Sequence, residues 1–502
     1  MKTTYTAWAA VGASLLVAAC GGGGSDSATG TQNNNPGRGD LVQSPPLRVT
    51  SLTAADYNAR LSGSTTGQGL LTLSTGSPST PVPCGIDVQY LKYGTVGANG
   101  EATTATAALM IPTGTAARCT GARPIVLHAH GTAVEQRYNM ADFTDSTNPG
   151  YNESQVLAAM YAAQGYIVVA PNYAGYDTST LGYHPFLVES QQTKDMLDAL
   201  TAAKAALPTL ISPVTASGKL YVSGYSQGGY VALATHKAMK TDPATIAKLA
   251  SLGLTVRGSA PMSGPYAMQT YGDAIVSGRV PAGSTQLMPM LLTGYQKSYG
   301  NIYATTSDLY ESTYATGIES LFPGPLSYSN LVSSGKVPQL ALFATGSLPA
   351  APTAQPLTPL WTLGFGTPNL IKSSFRADYL TPSNVLRAKL GVNDLTLTMP
   401  NPVGATMLCG GGADPTVYYS ANTGTLLGTG GWPAGVTATF VQQVNMDLNN
   451  GGVTSGADPF NALKTSFTAT NPTSAANYAT TYHSNLVPYC VRAARGFFDQ
   501  VN

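Results

Sequence analysis

Three short apolar runs constrain this chain more than anything else in it: "RPIVLHAHGT" (123–132), "GYIVVAPNYAG" (165–175) and "KLYVSGY" (219–225). Each places consecutive apolar residues before a turn, the pattern of a strand buried on both faces. Between the first two, "ESQVLAAMYAAQ" (153–164) repeats apolar residues at helical spacing. Between the second and third, "VESQQTKDMLDALTAAKAAL" (188–207) is built from good helix formers. A further helix, "GGYVALATHKAMK" (228–240), follows the third run, and "LTVRGSAPMSGPY" (254–266) adds a strand. Alternation of this kind predicts a mostly parallel sheet with helices on both faces. Upstream, residues 86–111 carry two β-prone runs around Gly-Ala-Asn-Gly, the grammar of a hairpin.

After residue 266 the alternation stops. Residues 267–400 are rich in Tyr, Leu, Pro, Ser and Thr, with helix-like pieces such as "STQLMPMLLTGYQKSYG". So long a stretch between two strands predicts an inserted, largely helical cap. The sheet pattern resumes over 404–420 and 436–447, and "HSNLVPYCVRAARGFFDQV" closes the chain as a helix.

The N-terminus has one Lys, an apolar stretch of small residues and Leu, then "VAAC" ending at Cys20. The segment is too short to span a membrane and reads as an export signal. It resembles a bacterial lipoprotein signal, which implies cleavage before Cys20 and lipidation of that cysteine, with the protein held at the cell envelope or secreted. "GGGGSDSATGTQNNNPGRGDLVQSPPL" (21–47) lacks hydrophobic periodicity and reads as a tether. The expected organisation is therefore signal peptide 1–19, tether 20–47, core 48–266, cap 267–400 and core again 401–502, all in a monomer.

Export also gives the cysteines a meaning. Of five, Cys20 is set aside, leaving an even number in an oxidising compartment. Three pairings exist; the local one, Cys84 with Cys119 and Cys409 with Cys490, is expected from their positions along the chain. No C-x-x-C pair or clustered histidine points to a metal. With 25 basic and 24 acidic residues the net charge is +1, giving no electrostatic reason to expect nucleic acid.

The third strand runs into "GYSQGGY" (224–230), a G-x-S-x-G pattern with strand before and helix after. That context is the nucleophile elbow of α/β-hydrolases. It exposes the hydroxyl of Ser226 beside the free N–H groups of a helix N-terminus. A serine needs a base and an orienting carboxylate. Of the five histidines, His128 and His130 end a strand, His184 follows another and His236 lies inside a helix. His483, in a loop before the final helix, stands where the base of this fold follows the last strand. The acid should follow the strand after the cap. Asp414 in "MLCGGGADPTV" does so, ahead of Asp394, Asp447 and Asp458. Two backbone donors must meet the oxyanion. The expected pair is the N–H of Gln227 with that of Thr132, Ala133 being the alternative to the latter; His130 is then a support for the loop.

The set "HAHGT", "GYIVVAPNYAGY", "YHPF", "GYSQGGY", "GGGADPTV" and "YHSNLVPYC" resembles the secretory lipase and esterase group of the α/β-hydrolase superfamily over roughly residues 84–502. The resemblance implies hydrolysis of carboxylic esters without a cofactor, by Ser226, Asp414 and His483, with a helical cap between the sixth and seventh strands. It does not reach the cap or 448–480, so the acyl group is left open among lipid, aryl, phenolic and polyester esters. A serine peptidase of the same fold and a non-catalytic surface binding protein are the competing readings.

Overall fold

The computed structural model describes residues 31–347, 363–475 and 477–501. The signal segment and Cys20 lie outside the described residues. Nine strands form one sheet: β1 (Leu47–Leu52), β2 (Gly85–Val96), β3 (Ala102–Thr113), β4 (Gly121–Ala129), β5 (Ile167–Pro171), β6 (Val214–Tyr225), β7 (Thr255–Met262), β8 (Thr406–Gly410) and β9 (Val441–Asn445). Their order across the sheet is β9-β8-β7-β6-β4-β5-β3-β2-β1. The hairpin end is antiparallel, β1 on β2 on β3 on β5. From β5 through β4, β6, β7 and β8 to β9 every pairing is parallel. This is the α/β-hydrolase fold.

The uninterrupted apolar runs become the centre of the sheet. Ile125, Val126, Leu127, Val168, Val169, Leu220 and Val222 are fully buried. Helices α3 (Tyr151–Met160) and α5 (Gln227–Thr241) each return the chain to an adjacent parallel strand, while α4 (Glu189–Ala206) carries it from β5 past β4 to β6. Register then brings the strand ends level: Ala129 pairs with Gly224, Tyr225 with Met262, and Met262 with Cys409. The loops that leave β4, β6, β7 and β8 therefore emerge along one edge.

Between β7 and β8 the described residues are largely helical. After α6 (Pro243–Ser251), which precedes β7, helices α7 (Met268–Val276) and α8 (Ser284–Tyr299), with Ser373–Tyr379 and Val385–Val392, lie over that edge of the sheet.

Three features depart from the sequence reading. Residues 31–47, placed in the tether by composition, are held against the core: Arg38 pairs with Asp198 at 3.0 Å, and the N–H groups of Gly39 and Val42 donate to the carbonyls of Gly94 and Lys92. Two helices, α1 (Ala54–Ser62) and α2 (Thr65–Thr75), precede β2 where the pattern assigns none. And the last helix runs from Tyr478 to Gln500, so His483 sits in its second turn rather than in a loop before it.

Both disulfides join the local partners. Cys84 and Cys119 have Cα atoms 5.5 Å apart, Cys409 and Cys490 5.7 Å. The second closes a separation of 81 residues and ties β8 to the final helix. Replacing Cys409 and Cys490 together by alanine is expected to lower the unfolding free energy by roughly 2 to 5 kcal/mol. Denaturant titration of the double variant checks this, and a midpoint equal to the parent's would refute it.

Candidate active site

Ser226 is the hinge between β6 and α5. Its backbone has φ 58° and ψ −122°, a left-handed value that a non-glycine residue adopts only when its surroundings impose it. The neighbours that allow it are glycines for a steric reason. A Cβ on Gly224 would overlap the Gly228 carbonyl oxygen, and one on Gly228 would overlap that of Ala129. With both absent, helix α5 starts immediately behind the serine and hard against β4.

The Ser226 hydroxyl lies 2.9 Å from His483 Nε2, and His483 Nδ1 lies 2.6 Å from Asp414 Oδ2. The three side chains singled out in sequence thus form one hydrogen-bonded line across three chain segments. Asp414 is 1% exposed, and its carboxylate is fully engaged. Oδ1 accepts from the N–H groups of Thr416 and Val417 at 2.9 and 3.1 Å, while Oδ2 also accepts from the Ser263 hydroxyl at 2.8 Å. The Tyr225 hydroxyl donates to the His483 carbonyl at 2.6 Å, fixing the turn of helix that carries the imidazole. Tyr478, one turn earlier, donates to the Ala413 carbonyl and ties that helix to the acid loop.

The other aspartates serve elsewhere. Asp394 caps a short helix, accepting from Thr396 and from the Gln269 N–H. Asp447 accepts from the Tyr482 hydroxyl, and Asp458 pairs with Lys464.

Gln227 occupies the first position of α5, where a backbone N–H has no intrahelical acceptor. Thr132 follows β4 and faces the same cavity as Ser226 and Gln227. Its loop passes closely over the elbow: a Cβ on Gly131 would lie 3.8 Å from Ser226 Cβ. Ala133 is buried, and its carbonyl accepts from Tyr176.

Besides His130, this loop has a support that was not legible in sequence. Glu153, in the first turn of α3, accepts from His128 Nε2 at 3.2 Å, from the Gly131 N–H at 3.3 Å and from the Tyr138 hydroxyl at 2.9 Å. Burial alone would raise its pKa, but the hydrogen bond and charge of His128, with His130 and Tyr138 behind, hold the carboxyl below the usual glutamate value. His130 stacks between Tyr138 and Tyr173 and contacts the Gly131 and Asn172 carbonyls. It supports the loop and does not reach Ser226.

The cavity in front of Ser226 holds about 920 Å³ of empty space, part of it open to solvent. Cap residues form most of its wall, among them Met268, Ile275, Leu287, Phe343, Phe375 and Leu390. Among the described residues, none that lines it carries a charge.

Several buried histidines around this centre must stay neutral. Burial pushes His184 and His236 from 6.5 down to about 3, and lowers His130 as well. As pH falls, each binds a proton in the unfolded chain before it does so in the folded one; for His184 and His236 the stabilisation is complete above pH 6.5 and is lost as pH falls toward 3. Asp195 acts with the opposite sign: burial raises it from 3.8 to about 7, so its contribution is lost as pH rises through that window. At about 1.4 kcal/mol per pH unit for each group, His184 and His236 together outweigh Asp195. The unfolding free energy is expected to be about 1 to 3 kcal/mol lower at pH 5 than at pH 7. Denaturant titration at the two pH values tests this, and equal or higher stability at pH 5 would contradict it.

An elbow serine, a histidine and a buried carboxylate at the strand ends of an α/β-hydrolase sheet define the serine hydrolases of that fold, and a family match over the elbow segment supports that class. Residues 152–247, which contain the elbow, match the prolyl oligopeptidase family. Across the whole chain the structure resembles the rice cell wall degrading esterase LipA from Xanthomonas oryzae, with a TM-score of 0.68 at 24% identity over 93% of this chain and 100% of that one. It also resembles a putative hydrolase from Legionella pneumophila, with a TM-score of 0.62 at 16% identity over 91% and 96% of the two chains. At such identities the likeness is one of fold. No curated protein matches the chain by sequence.

Proposed function

We propose that the protein is a carboxylic ester hydrolase acting through an acyl-enzyme on Ser226, with His483 as base and Asp414 as orienting acid. The observation that carries this reading is the juxtaposition of the hydrogen-bonded Ser226–His483–Asp414 line with an uncharged, cap-walled cavity. His483 Nε2 takes the hydroxyl proton as Ser226 Oγ attacks the ester carbonyl carbon. The carbonyl oxygen becomes an oxyanion facing the N–H groups of Gln227 and Thr132, in a site where preorganised donors need no solvent rearrangement. Asp414 stabilises the imidazolium. Collapse of the intermediate breaks the bond to the alcohol oxygen, which receives the proton from His483. Water, deprotonated by the same nitrogen, then attacks the acyl-enzyme and releases the acid with Ser226 regenerated. No step calls for a cofactor or a metal.

The apolar wall selects an acyl group that leaves water favourably, at about 25 cal/mol per Å² of apolar surface buried. In this reading a monomer works at the cell envelope, anchored through a lipid on Cys20.

The match of residues 152–247 to the prolyl oligopeptidase family favours a second reading, a peptidase. Recognition of a peptide's amino terminus needs a carboxylate in the pocket, and among the described residues the lining includes none. A panel of chromogenic alkyl and aryl esters of increasing acyl length, run beside chromogenic dipeptides on the mature domain, separates the two. Ester cleavage with at least a hundredfold preference over the peptides is expected. Peptide cleavage without ester cleavage would overturn the esterase reading.

A further inference from the structure

His184 is buried in the loop after β5, away from the catalytic line, and its two ring nitrogens have different partners. Nδ1 lies 2.9 Å from the Ala174 carbonyl oxygen, and Nε2 lies 2.7 Å from the side-chain nitrogen of Gln227. A carbonyl oxygen only accepts, so Nδ1 carries the proton. In the neutral ring Nε2 is then an acceptor, and the Gln227 carboxamide must present its NH₂ to it. Burial holds the ring neutral, with a pKa near 3. Behind it the line continues: the Ala174 N–H donates to Asp195 Oδ2 at 2.5 Å, and Asp195 Oδ1 accepts from the Tyr93 hydroxyl at 2.8 Å.

The ring is also clamped. Tyr173 stacks on it at 5.6 Å and Tyr176 lies 4.8 Å away. Gly175, at φ 96°, lets the chain pass closely there, since a Cβ would overlap the Tyr183 carbonyl and meet the His184 Cα. Gly294 of cap helix α8 approaches the His184 carbonyl in the same manner.

Resting on the esterase reading, we propose that His184 is a positioning residue of the oxyanion hole: its hydrogen bond to the Gln227 side chain fixes the Gln227 peptide, whose N–H meets the tetrahedral intermediate. A donor that is mispositioned loses most of its worth in the transition state while the ground-state ester, bound by the apolar wall, is barely affected. The Gln227→Ala variant keeps the backbone N–H and removes only the tether. His184→Phe keeps the aromatic packing and removes the acceptor.

The test measures kcat, KM and the inhibition constant of an alkyl boronic acid, which forms a tetrahedral adduct on the serine, for both single variants and the double variant. Each single variant is expected to lose roughly 10- to 100-fold in kcat, below the loss for removing a donor outright, with KM within about twofold. Boronate affinity should fall by a similar factor. The double variant should be no worse than the poorer single, because both changes cut the same link. Additive losses, a loss confined to KM, or a Gln227→Ala variant with parental kcat and boronate affinity would overturn the inference. A fluorophosphonate that labels Ser226 in the parent keeps the two questions apart: absence of labelling sinks the esterase reading itself, whereas labelling in parent and variants with parental kinetics sinks only the role of His184. Should His184→Phe not fold, Gln227→Ala alone decides.

Discussion

Replacing Ser226 by alanine is expected to lower kcat on a chromogenic ester by about 10⁵- to 10⁶-fold while leaving KM within a few fold. Of the three residues on the line, Ser226 alone lines the cavity, and removing its hydroxyl ends covalent catalysis. It leaves the Gln227 and Thr132 donors and the apolar wall intact, so binding persists and a small residual rate over water remains. Nothing in the fold depends on the hydroxyl, since the left-handed backbone at 226 is imposed by the Gly224 and Gly228 contacts around it. The variant should therefore keep the parent's melting temperature. A loss below tenfold would mean that another nucleophile carries the reaction.

The second large effect concerns Asp414. Asn at this position is expected to reduce kcat by about 10⁴-fold with little change in stability. Its amide oxygen keeps the bonds from the N–H groups of Thr416 and Val417, so the loop stays in place. Its amide nitrogen then faces His483 Nδ1 and Ser263, where Oδ2 accepted before. Facing a donor, the imidazole moves its proton to Nε2, the nitrogen that must accept from Ser226. The tautomer is wrong although the geometry is preserved. Steady-state kinetics of Asp414→Asn beside Asp447→Asn check the assignment, because Asp447 bonds Tyr482 and lies off the line. Equal losses in the two variants would contradict it.

The sheet was readable because parallel strands buried on both faces leave unbroken apolar runs, and β4, β5 and β6 fall where "IVLHA", "IVVAP" and "LYVSGY" stand. The elbow was readable because its glycines answer a backbone clash that only a strand-turn-helix junction creates. Helices α1 and α2 were hidden for the opposite reason. The Thr-, Ser- and Gly-rich residues of α2 have weak propensity and α1 is only 9 residues long, and the helices rest on caps at Thr53 and Ser64 and on burial of Tyr57 and Leu71 against the core. Arg38 could not be placed because its partner Asp198 is 160 residues away.

The site follows the same division. Ser226, Asp414 and His483 belong to local patterns. The groups that hold them, namely Ser263 on Asp414, Tyr225 on the His483 carbonyl and Glu153 on Gly131, are contacts between segments far apart in the chain. The helical setting of His483 was hidden by the turn ahead of it, where Thr480, Thr481 and Tyr482 are weak helix formers yet lie inside the final helix.

The central claim, that esters are cleaved through an acyl group on Ser226, is tested most directly by rapid acid quenching during turnover of a p-nitrophenyl ester, followed by intact-mass and peptide-mass measurement. A burst of p-nitrophenol near one equivalent, with the acyl mass on the peptide containing Ser226 and absent from Ser226→Ala, is the predicted result. Turnover with no acylated protein at any quench time and no burst, or the acyl mass on a different residue, would contradict it.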